Sequence, residues 1–218
     1  SAINSVLVSM AAAICVVTLA SVMVLTVSYR KHPFLNVLAA VSATGYAFPG
    51  VVLAIGVVSF SGALDGFIAT VVEDVLGIPS NGVLIGSVAL LILAYVTRFQ
   101  AIGYGALSSG VQRIPPNIMN AGFVLGRGFS GTMISLAPRL LRSSMMAAGL
   151  LVFVDVMKEL PMTLLLRPFN FDTLSTYVYQ FAKDELLEEA ALAALAIVIA
   201  GLGPVILMNA SQKKRGRT

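Results

Sequence analysis

Residues 125–131 read LGRGFSG, a short stretch that matches two patterns found in reactive or ligand-binding sites. Gly126 to Gly131 spell G-x-G-x-x-G, which cradles a pyrophosphate when it follows a strand and opens a helix. Gly128 to Gly131 spell G-x-S-G, in which Ser130 would act as a nucleophile activated by a neighbouring base. Each chemistry needs further residues, which the rest of the chain must place beside this stretch.

The sequence lacks the additional residues that a dinucleotide site or a serine nucleophile would need. A dinucleotide site needs a parallel sheet and an acid about 20 residues after the glycines. No Asp or Glu occurs between Asp74 and Asp155. A serine nucleophile needs a base within hydrogen-bond distance, and the only histidine, His32, belongs to a different predicted loop. Both matches are therefore interpreted as coincidental.

The composition is that of a membrane protein. The chain has 218 residues, of which 58% are hydrophobic and 11% are charged, and its mean hydropathy is +0.93. Because a soluble domain carries about 25% charged residues, this chain has too few charges to cover a water-facing surface. Its length gives room for roughly five membrane spans of about 20 residues each. Cys15 is the only cysteine, so neither a disulfide framework nor a cysteine-based metal site is expected.

Five hydrophobic runs are predicted to cross the membrane. They cover residues 3–29, 33–64, 82–97, 140–156 and 190–210, and a kink or break is expected at Pro49-Gly50. The first run lacks the basic segment and cleavage site of a signal peptide, so it is interpreted as a mature helix of a longer protein. No charge is expected in the middle of a span.

Two segments between the runs have a distinct character. Residues 99–138 are rich in glycine, proline and basic residues and contain no acid, which predicts a long loop with short helices. In the second polar stretch, 158–187, an apolar face repeats at helical spacing, which predicts a helix lying at a surface. This face consists of Leu174, Tyr177, Val178 and Phe181.

The charges separate into two faces when the five runs alternate across a membrane. Segments 30–34, 98–142 and 211–218 share one face and hold most of the lysine and arginine residues. The acidic residues lie on the opposite face or at helix ends that open onto it. By the positive-inside rule, residues 98–142 are predicted to be cytoplasmic. The acids at positions 65–74, together with Asp155 and Glu159, are predicted to attract cations on the outer side.

Residues 120–126 read NAGFVLG and are followed by a span that begins near Pro138. This stretch resembles the EAA loop of binding-protein-dependent ABC importer permeases, in which E-A-A-x-x-x-G precedes a hydrophobic-x-L-P ending. Asn120, Ala121, Gly122 and Gly126 occupy the E-A-A-x-x-x-G positions. Asn120 replaces the usual glutamate of the pattern, and Pro138 falls one residue earlier than the pattern has it.

A second stretch, residues 158–174, resembles the ferric-iron type of these permeases. The run begins KELP, continues with LLRP and ends with DTL. The resemblance covers residues 4–208. Permeases of this type are often single chains with two homologous halves, and this chain resembles most of one half, the C-terminal one, without its first helix.

The resemblance implies an all-α membrane protein, a bundle of about five transmembrane helices with a cytoplasmic coupling loop. Residues 1–210 would form the transmembrane domain, 99–138 the coupling loop within it, and 211–218 a basic cytoplasmic tail. The expected function is that of a permease subunit which forms the translocation pathway for a substrate, ferric iron, handed over by an external binding protein. The expected location is the bacterial cytoplasmic membrane, where the chain is multi-pass.

The resemblance also implies the partners and the division of labour. ATP and Mg²⁺ would be bound by ABC ATPase subunits, because the chain has no G-x-x-x-x-G-K-[ST] loop. The chain itself is expected to hold no cofactor and no metal and not to be an enzyme. A periplasmic or extracellular substrate-binding protein, a second permease half and the lipid membrane complete the expected partners, with no nucleic acid among them.

Three groups of residues are predicted to carry the function. Gly122 and Gly126 would allow close approach of another backbone, and Phe123 and Leu125 would provide apolar contacts to the ATPase. The coupling loop is assigned to Asn120, Ala121, Gly122, Phe123, Leu125, Gly126, Arg127, Leu136 and Pro138. The family signature on the outer side is assigned to Lys158, Glu159, Leu160, Pro161, Arg167, Pro168 and Asp172, and the possible substrate path to Asp155 and Glu159.

Two alternatives to an iron permease are open. Relatives that carry thiamine, sulfate, polyamines or phosphonates share the same expected fold. A transporter driven by an ion gradient belongs to a different class and would need charged residues inside its spans.

Overall fold

The computed structural model describes residues 1–29, 33–77, 82–115, 131 and 137–215, and within these residues the chain is helical and contains no β-strand. Among the described residues, four helices are long and apolar enough to cross a membrane, which confirms the prediction of an all-helical, multi-pass membrane protein. The helices are α1 (Ala2–Tyr29), α2 (Pro33–Thr44), a 3-10 turn (Gly45–Ala47), α3 (Gly50–Leu76), α4 (Val88–Val111), α5 (Ala137–Met157), α6 (Pro161–Leu166), α7 (Leu174–Lys183) and α8 (Leu187–Arg215).

The second predicted span is divided into two helices, and only the second of them, α3, is long enough to cross a membrane. The break occurs where it was predicted, because Pro49 is extended, with ψ 138°, and α3 begins at the next residue. Its predicted end near residue 64 is wrong, since α3 continues to Leu76. It ends at Gly77, whose φ of 66° is left-handed and favours glycine, and whose amide donates to the Glu73 carbonyl.

The third predicted span is displaced along the chain. Helix α4 begins at Val88 rather than at residue 82, and it continues to Val111 instead of ending at residue 97. Arg98 therefore lies in the middle of α4, and Asp65 lies in the middle of α3. The prediction that no charge occupies the middle of a span is wrong, and the first residues of the predicted 99–138 loop belong to α4.

The last predicted span lies within α8, which begins with Glu188 and Glu189 in its first turn. Residues 211–215 of the predicted tail continue this helix. The crossing of the membrane by α8 stays a prediction, because the side chains at its C-terminal end lie outside the described residues.

The chain is organised as two compact units. The first unit consists of Ser1–Ala12, Phe48–Arg98 and Phe153–Thr218, and the second consists of Ala13–Ala47 and Phe99–Val152. Helices α1, α4 and α5 are each divided between the units, with one segment in the first unit and one in the second.

The second unit is built around small residues that bring its helices close together. Its core contains Ala20, Val24, Leu107, Leu141 and Ala148, with Val17, Tyr104 and Met145 packed against it. A Cβ atom at Gly103 would lie 2.6 Å from Val16 Cγ1, and one at Gly110 would collide with the Ser144 side chain. Such close approach of helices at small residues is typical of membrane proteins, where packing replaces the hydrophobic effect.

In the first unit, α7 packs on α8. The buried residues Met157, Leu174 and Ala193 form a cluster against which Tyr177 and Val178 pack. The apolar face of α7, predicted to lie at a surface, is therefore covered by another helix, and that prediction is wrong in this respect. The helical spacing itself was read correctly.

Candidate functional site

The candidate site lies in the first unit, at the connection between α5 and α6. Helix α5 ends at Met157 and α6 begins at Pro161, a residue that suits the first turn of a helix because it has no amide hydrogen to satisfy. Glu159 lies between them and is only 8% exposed. A carboxylate this deeply buried requires a partner, because an isolated charge is costly away from water.

The partner of Glu159 is Arg98 of α4. Arg98 Nη1 lies 3.6 Å from Glu159 Oε1, and the arginine side chain is 18% exposed. The α4 segment around Arg98 is otherwise apolar enough to cross a membrane. Ionisable residues in such a segment are rare and are associated with solute pathways. Removing one member of a buried pair leaves the other charge uncompensated, so the two side chains depend on each other.

Gly50, the first residue of α3, lies directly against this ion pair. A Cβ atom at this position would collide with the Arg98 guanidinium and would lie 2.9 Å from Glu159 Oε1. A side chain at this position would therefore displace the ends of the Arg98 and Glu159 side chains. The N-terminal end of α3, the middle of α4 and the α5–α6 connection meet at one point, which we call the charged junction (Gly50, Arg98 and Glu159).

A chain of hydroxyl groups supports the charged junction from the α6 and α7 side. The Thr163 hydroxyl donates to the Glu159 carbonyl at 2.6 Å, and the Ser175 hydroxyl donates to the same oxygen at 2.9 Å. Tyr95, one turn before Arg98 on α4, lies with its hydroxyl 2.5 Å from Thr163 Oγ1. Because Thr163 already donates to Glu159, Tyr95 is the donor in this contact. Two residues of α4 thus fix the position of the α5–α6 connection.

The start of α7 is tied to α1. Thr173 and Thr176 form a reciprocal capping box, in which each side chain accepts from the backbone amide of the other. The Leu174 amide donates to the Ser5 hydroxyl at 2.6 Å, and the Asn4 side chain donates to the Asp172 carbonyl at 3.2 Å. The connection that contains the predicted signature residues is therefore held by both α1 and α4.

Three further signature residues, Arg167, Pro168 and Asp172, lie half-buried in the turn between α6 and α7, whereas Leu160 directly precedes α6. Arg167 and Asp172 make an ion pair across this turn, and the Phe171 amide donates to the Pro168 carbonyl at 3.2 Å. Phe169 at its tip is 95% exposed. A cavity of about 360 Å³ is lined by Leu164, Arg167, Pro168, Phe169, Asn170, Asp172 and Gln180.

The structure places the two predicted substrate-path carboxylates in ion pairs. Asp155 Oδ1 lies 2.6 Å from Lys158 Nζ, one turn along the end of α5, and Glu159 pairs with Arg98. Within the residues that the structure describes, no cluster of three His, Cys, Asp or Glu side chains could hold a metal ion.

Asp65 has a structural role that the sequence did not indicate. Its carboxylate accepts hydrogen bonds at 3.0–3.1 Å from the amides of Val83, Leu84 and Ile85, and it is 6% exposed. The prediction that Asp65 attracts cations on an outer surface is therefore wrong. Glu73 and Asp74, which belong to the same predicted group, are exposed on α3.

Most of the predicted coupling loop lies outside the described residues, namely Asn120, Ala121, Gly122, Phe123, Leu125, Gly126, Arg127 and Leu136. Pro138 is described: it is the second residue of α5 and is exposed. A proline in the first turn suits a helix start at this position.

The sequence interpretation missed Arg98, Tyr95 and Gly50. Tyr95 and Arg98 are three residues apart, so both lie on one face of a helix, and this spacing is the sequence feature that could have linked the two residues. The spacing was not recognised because Arg98 was interpreted as the end of a span.

Comparison with known proteins found a relative among transport proteins. Over 164 residues, the chain is 27% identical to the Fe(3+)-transport system permease protein FbpB 2 of Haemophilus influenzae. The match covers 75% of this chain and 29% of that protein, so the chain spans less than a third of its relative's length. No protein-family model matches the chain.

Proposed function

We propose that the chain is a permease segment of an ATP-driven ABC importer and forms part of the pathway for a solute delivered by an external binding protein. The observation that carries this proposal is the similarity to a ferric-iron permease over three quarters of the chain. Ferric iron is the proposed substrate, since it is the one named for that relative. The bacterial cytoplasmic membrane is the proposed location.

The geometry of the first unit supports a transport role. The charged junction lies where two chain segments interrupt their helices, at Pro49 before α3 and at residues 158–160 between α5 and α6. Interrupted helices with ionisable groups at the break are a recurring feature of solute pathways through membranes. A helical bundle with a purely structural role has no need of a charge pair in this position, because apolar side chains of similar volume are often as stable.

The proposed ATPase contact is the loop at 120–127. Gly122 and Gly126 would leave a smooth surface for a partner, with Phe123 and Leu125 as apolar contacts. ATP and Mg²⁺ would be bound by the ATPase subunits, and a second permease half would complete the pathway. Under this proposal the chain has no catalytic residue of its own.

A gradient-driven transporter is the second candidate, and one observation favours it. Such a protein needs ionisable residues within its spans, and Arg98 in α4 and Asp65 in α3 meet this description. The two candidates differ in their energy source, so the same reconstituted protein distinguishes them.

The test is uptake by the full-length protein reconstituted in liposomes with its cognate ATPase and binding protein. The importer proposal predicts that uptake of ferric ion requires ATP and that the permease stimulates ATP hydrolysis. Uptake that survives without ATP and stops when a proton or sodium gradient is collapsed would instead establish the second candidate. Thiamine, sulfate, a polyamine and a phosphonate, each with a matching binding protein, test the substrate.

A matched pair of variants tests the proposed coupling loop in the same assay. Gly126→Leu adds a branched side chain where a partner would approach, so ATP hydrolysis should no longer support uptake although the protein still reaches the membrane. Ser130→Ala in the same stretch should transport normally, because no nucleophile is proposed. Normal transport by Gly126→Leu would remove the coupling role from this loop.

A further inference from the structure

The turn between α6 and α7 presents one large apolar side chain to its surroundings. Phe169 at the tip is 95% exposed, more than any other large hydrophobic side chain that the structure describes. Its neighbours on the turn are polar, namely Arg167, Asn170 and Asp172. Insertion of the ring into the bilayer core would bring two charged side chains with it, which is costly. The ring therefore faces water or a protein.

The turn is held in one conformation by its own contacts. An ion pair crosses it, and the Phe171 amide donates to the Pro168 carbonyl at 3.2 Å. Asn170, the residue after Phe169, has a left-handed φ of 58°, a conformation that asparagine adopts more readily than most residues. An aromatic ring that is already held in place loses less conformational entropy when it binds a partner.

The turn lies where helices of membrane-spanning length end. Helix α5 ends at Met157, shortly before α6, and at the start of α1 the Asn4 side chain donates to the Asp172 carbonyl. Helices α6 and α7 have 6 and 10 residues and are too short to cross a bilayer, which takes about 20 residues. The turn is therefore at an edge of the spanning region, on the face that the charge distribution predicts to be external.

A recess and a group of acids lie beside the ring. The cavity of about 360 Å³ is lined by Phe169 and, on the α7 side, by Gln180. The Asp184 amide donates to the Gln180 carbonyl at 3.1 Å, so the acidic segment begins one turn beyond the cavity. Its acids are all exposed, namely Asp184, Glu185, Glu188 and Glu189. Charge complementarity therefore favours a partner with a basic surface.

We propose that the α6–α7 turn is a docking surface for the external binding protein and that Phe169 is its anchor. This proposal rests on the proposed importer function, because that function supplies the partner. The ring enters an apolar recess of the binding protein, and basic residues of that protein face the acids at 184–189. The polar turn favours this partner over a second permease half, which would pack on the apolar faces of the spans.

The test measures binding of the purified cognate binding protein to the full-length permease and its ATPase subunits in lipid nanodiscs. Phe169→Ala should raise Kd at least about tenfold, the loss expected when an interface anchor is truncated, and most of the change should be in the dissociation rate. Phe60→Ala is the matched control. It removes a ring that is 65% exposed but lies within the membrane-spanning part of α3, so Kd should not change.

Two further variants separate the anchor from the charges. Phe169→Leu retains apolar bulk and should bind more tightly than Phe169→Ala. The paired change Glu188→Gln with Glu189→Gln should slow association and reduce its salt dependence while the dissociation rate stays as in the parent, because charges at the rim of an interface act mainly on association. Thermal unfolding verifies that each variant is folded.

A photoreactive group at the tip of the turn identifies what covers it. In a cysteine-free background, Phe169→Cys is modified with a benzophenone maleimide, and the nanodiscs are illuminated with the binding protein present. The expected product joins the permease to the binding protein. A product with lipid or with the second permease half, formed while the binding protein is bound, would overturn the docking surface.

The docking surface and the proposed function fail in different ways. A parental Kd in folded Phe169→Ala, in an importer whose parent takes up solute with ATP, would overturn the docking surface and leave the function intact. A parent that neither binds the binding protein nor stimulates ATP hydrolysis would overturn the proposed function, and the docking surface with it.

Discussion

Replacing Asp65 with asparagine should detach the segment that precedes α4 from the middle of α3. In the native protein, Oδ1 accepts from the amides of Val83 and Leu84, and Oδ2 accepts from those of Leu84 and Ile85. An asparagine keeps one oxygen and replaces the other by a donor. Whichever way the amide is oriented, the amide hydrogen of Val83 or of Ile85 therefore loses its acceptor.

The magnitude follows from these bonds. Because these bonds are only part-buried, the amide left without a partner costs about 1 kcal/mol, and each of the two remaining bonds loses about 1 kcal/mol when its acceptor is no longer charged. The sum is about 3 kcal/mol, at the upper end of the roughly 0.5–3 kcal/mol of most substitutions. For a chain of this size, the unfolding temperature should fall by about 6 °C or more.

The assay is thermal unfolding of the purified full-length protein in detergent, followed by far-ultraviolet circular dichroism. Asp74→Asn is the matched control, since it makes the same change at an exposed position of the same helix, and it should shift the midpoint by less than about 2 °C. Gly82→Ala perturbs the same contact through the segment that precedes α4, because the added Cβ would lie 2.7 Å from the Asp65 carboxylate. An Asp65→Asn midpoint within about 2 °C of the parent would refute the argument.

Three further predictions concern topology, helix packing and docking. In a cysteine-free background, Ser109→Cys should be labelled only from the cytoplasmic side and Lys183→Cys only from outside, and labelling of both from one side would contradict the predicted orientation. Gly110→Ala should lower the unfolding temperature because its Cβ collides with a side chain of α5, whereas Gly105→Ala, with open space around it, should not. The exposed acids at 184–189 should make docking of a basic binding protein weaken as the ionic strength approaches about 1 M, where the Debye length is about 3 Å, and a salt-independent association rate would exclude this role.

Composition and hydropathy predicted the helical membrane fold, and local chemistry predicted one boundary well. The break before α3 was recognisable because proline removes an amide donor and restricts the residue before it. The C-terminal ends of α3 and α4 were predicted wrongly, and the reason is the same for both helices. Asp65 and Arg98 were taken as the ends of spans, although each lies within its helix.

A charge normally ends an apolar run, since a membrane helix has nothing with which to compensate it. Here the compensation comes from residues distant in sequence, the amides at 83–85 for Asp65 and the side chain of Glu159 for Arg98. No local pattern reports such partners. Glu159 could be identified from its signature run. Its ion pair with Arg98 and its contact with Gly50 could not be predicted, because both partners are distant in sequence.

The attachment of α7 to α1 has a consequence for how the protein is made. Asn4 bonds to a carbonyl 168 residues later, and Ser5 accepts from an amide 169 residues later. At a synthesis rate of about 5–20 residues per second, roughly ten to thirty seconds pass between emergence of α1 and emergence of its partner. During that interval α1 can reside in the bilayer as an independent helix, because membrane helices insert before they associate. Helix α1 thus reaches these contacts only after α7 has been made, and a nascent chain halted before α7 would carry Asn4 and Ser5 without these bonds.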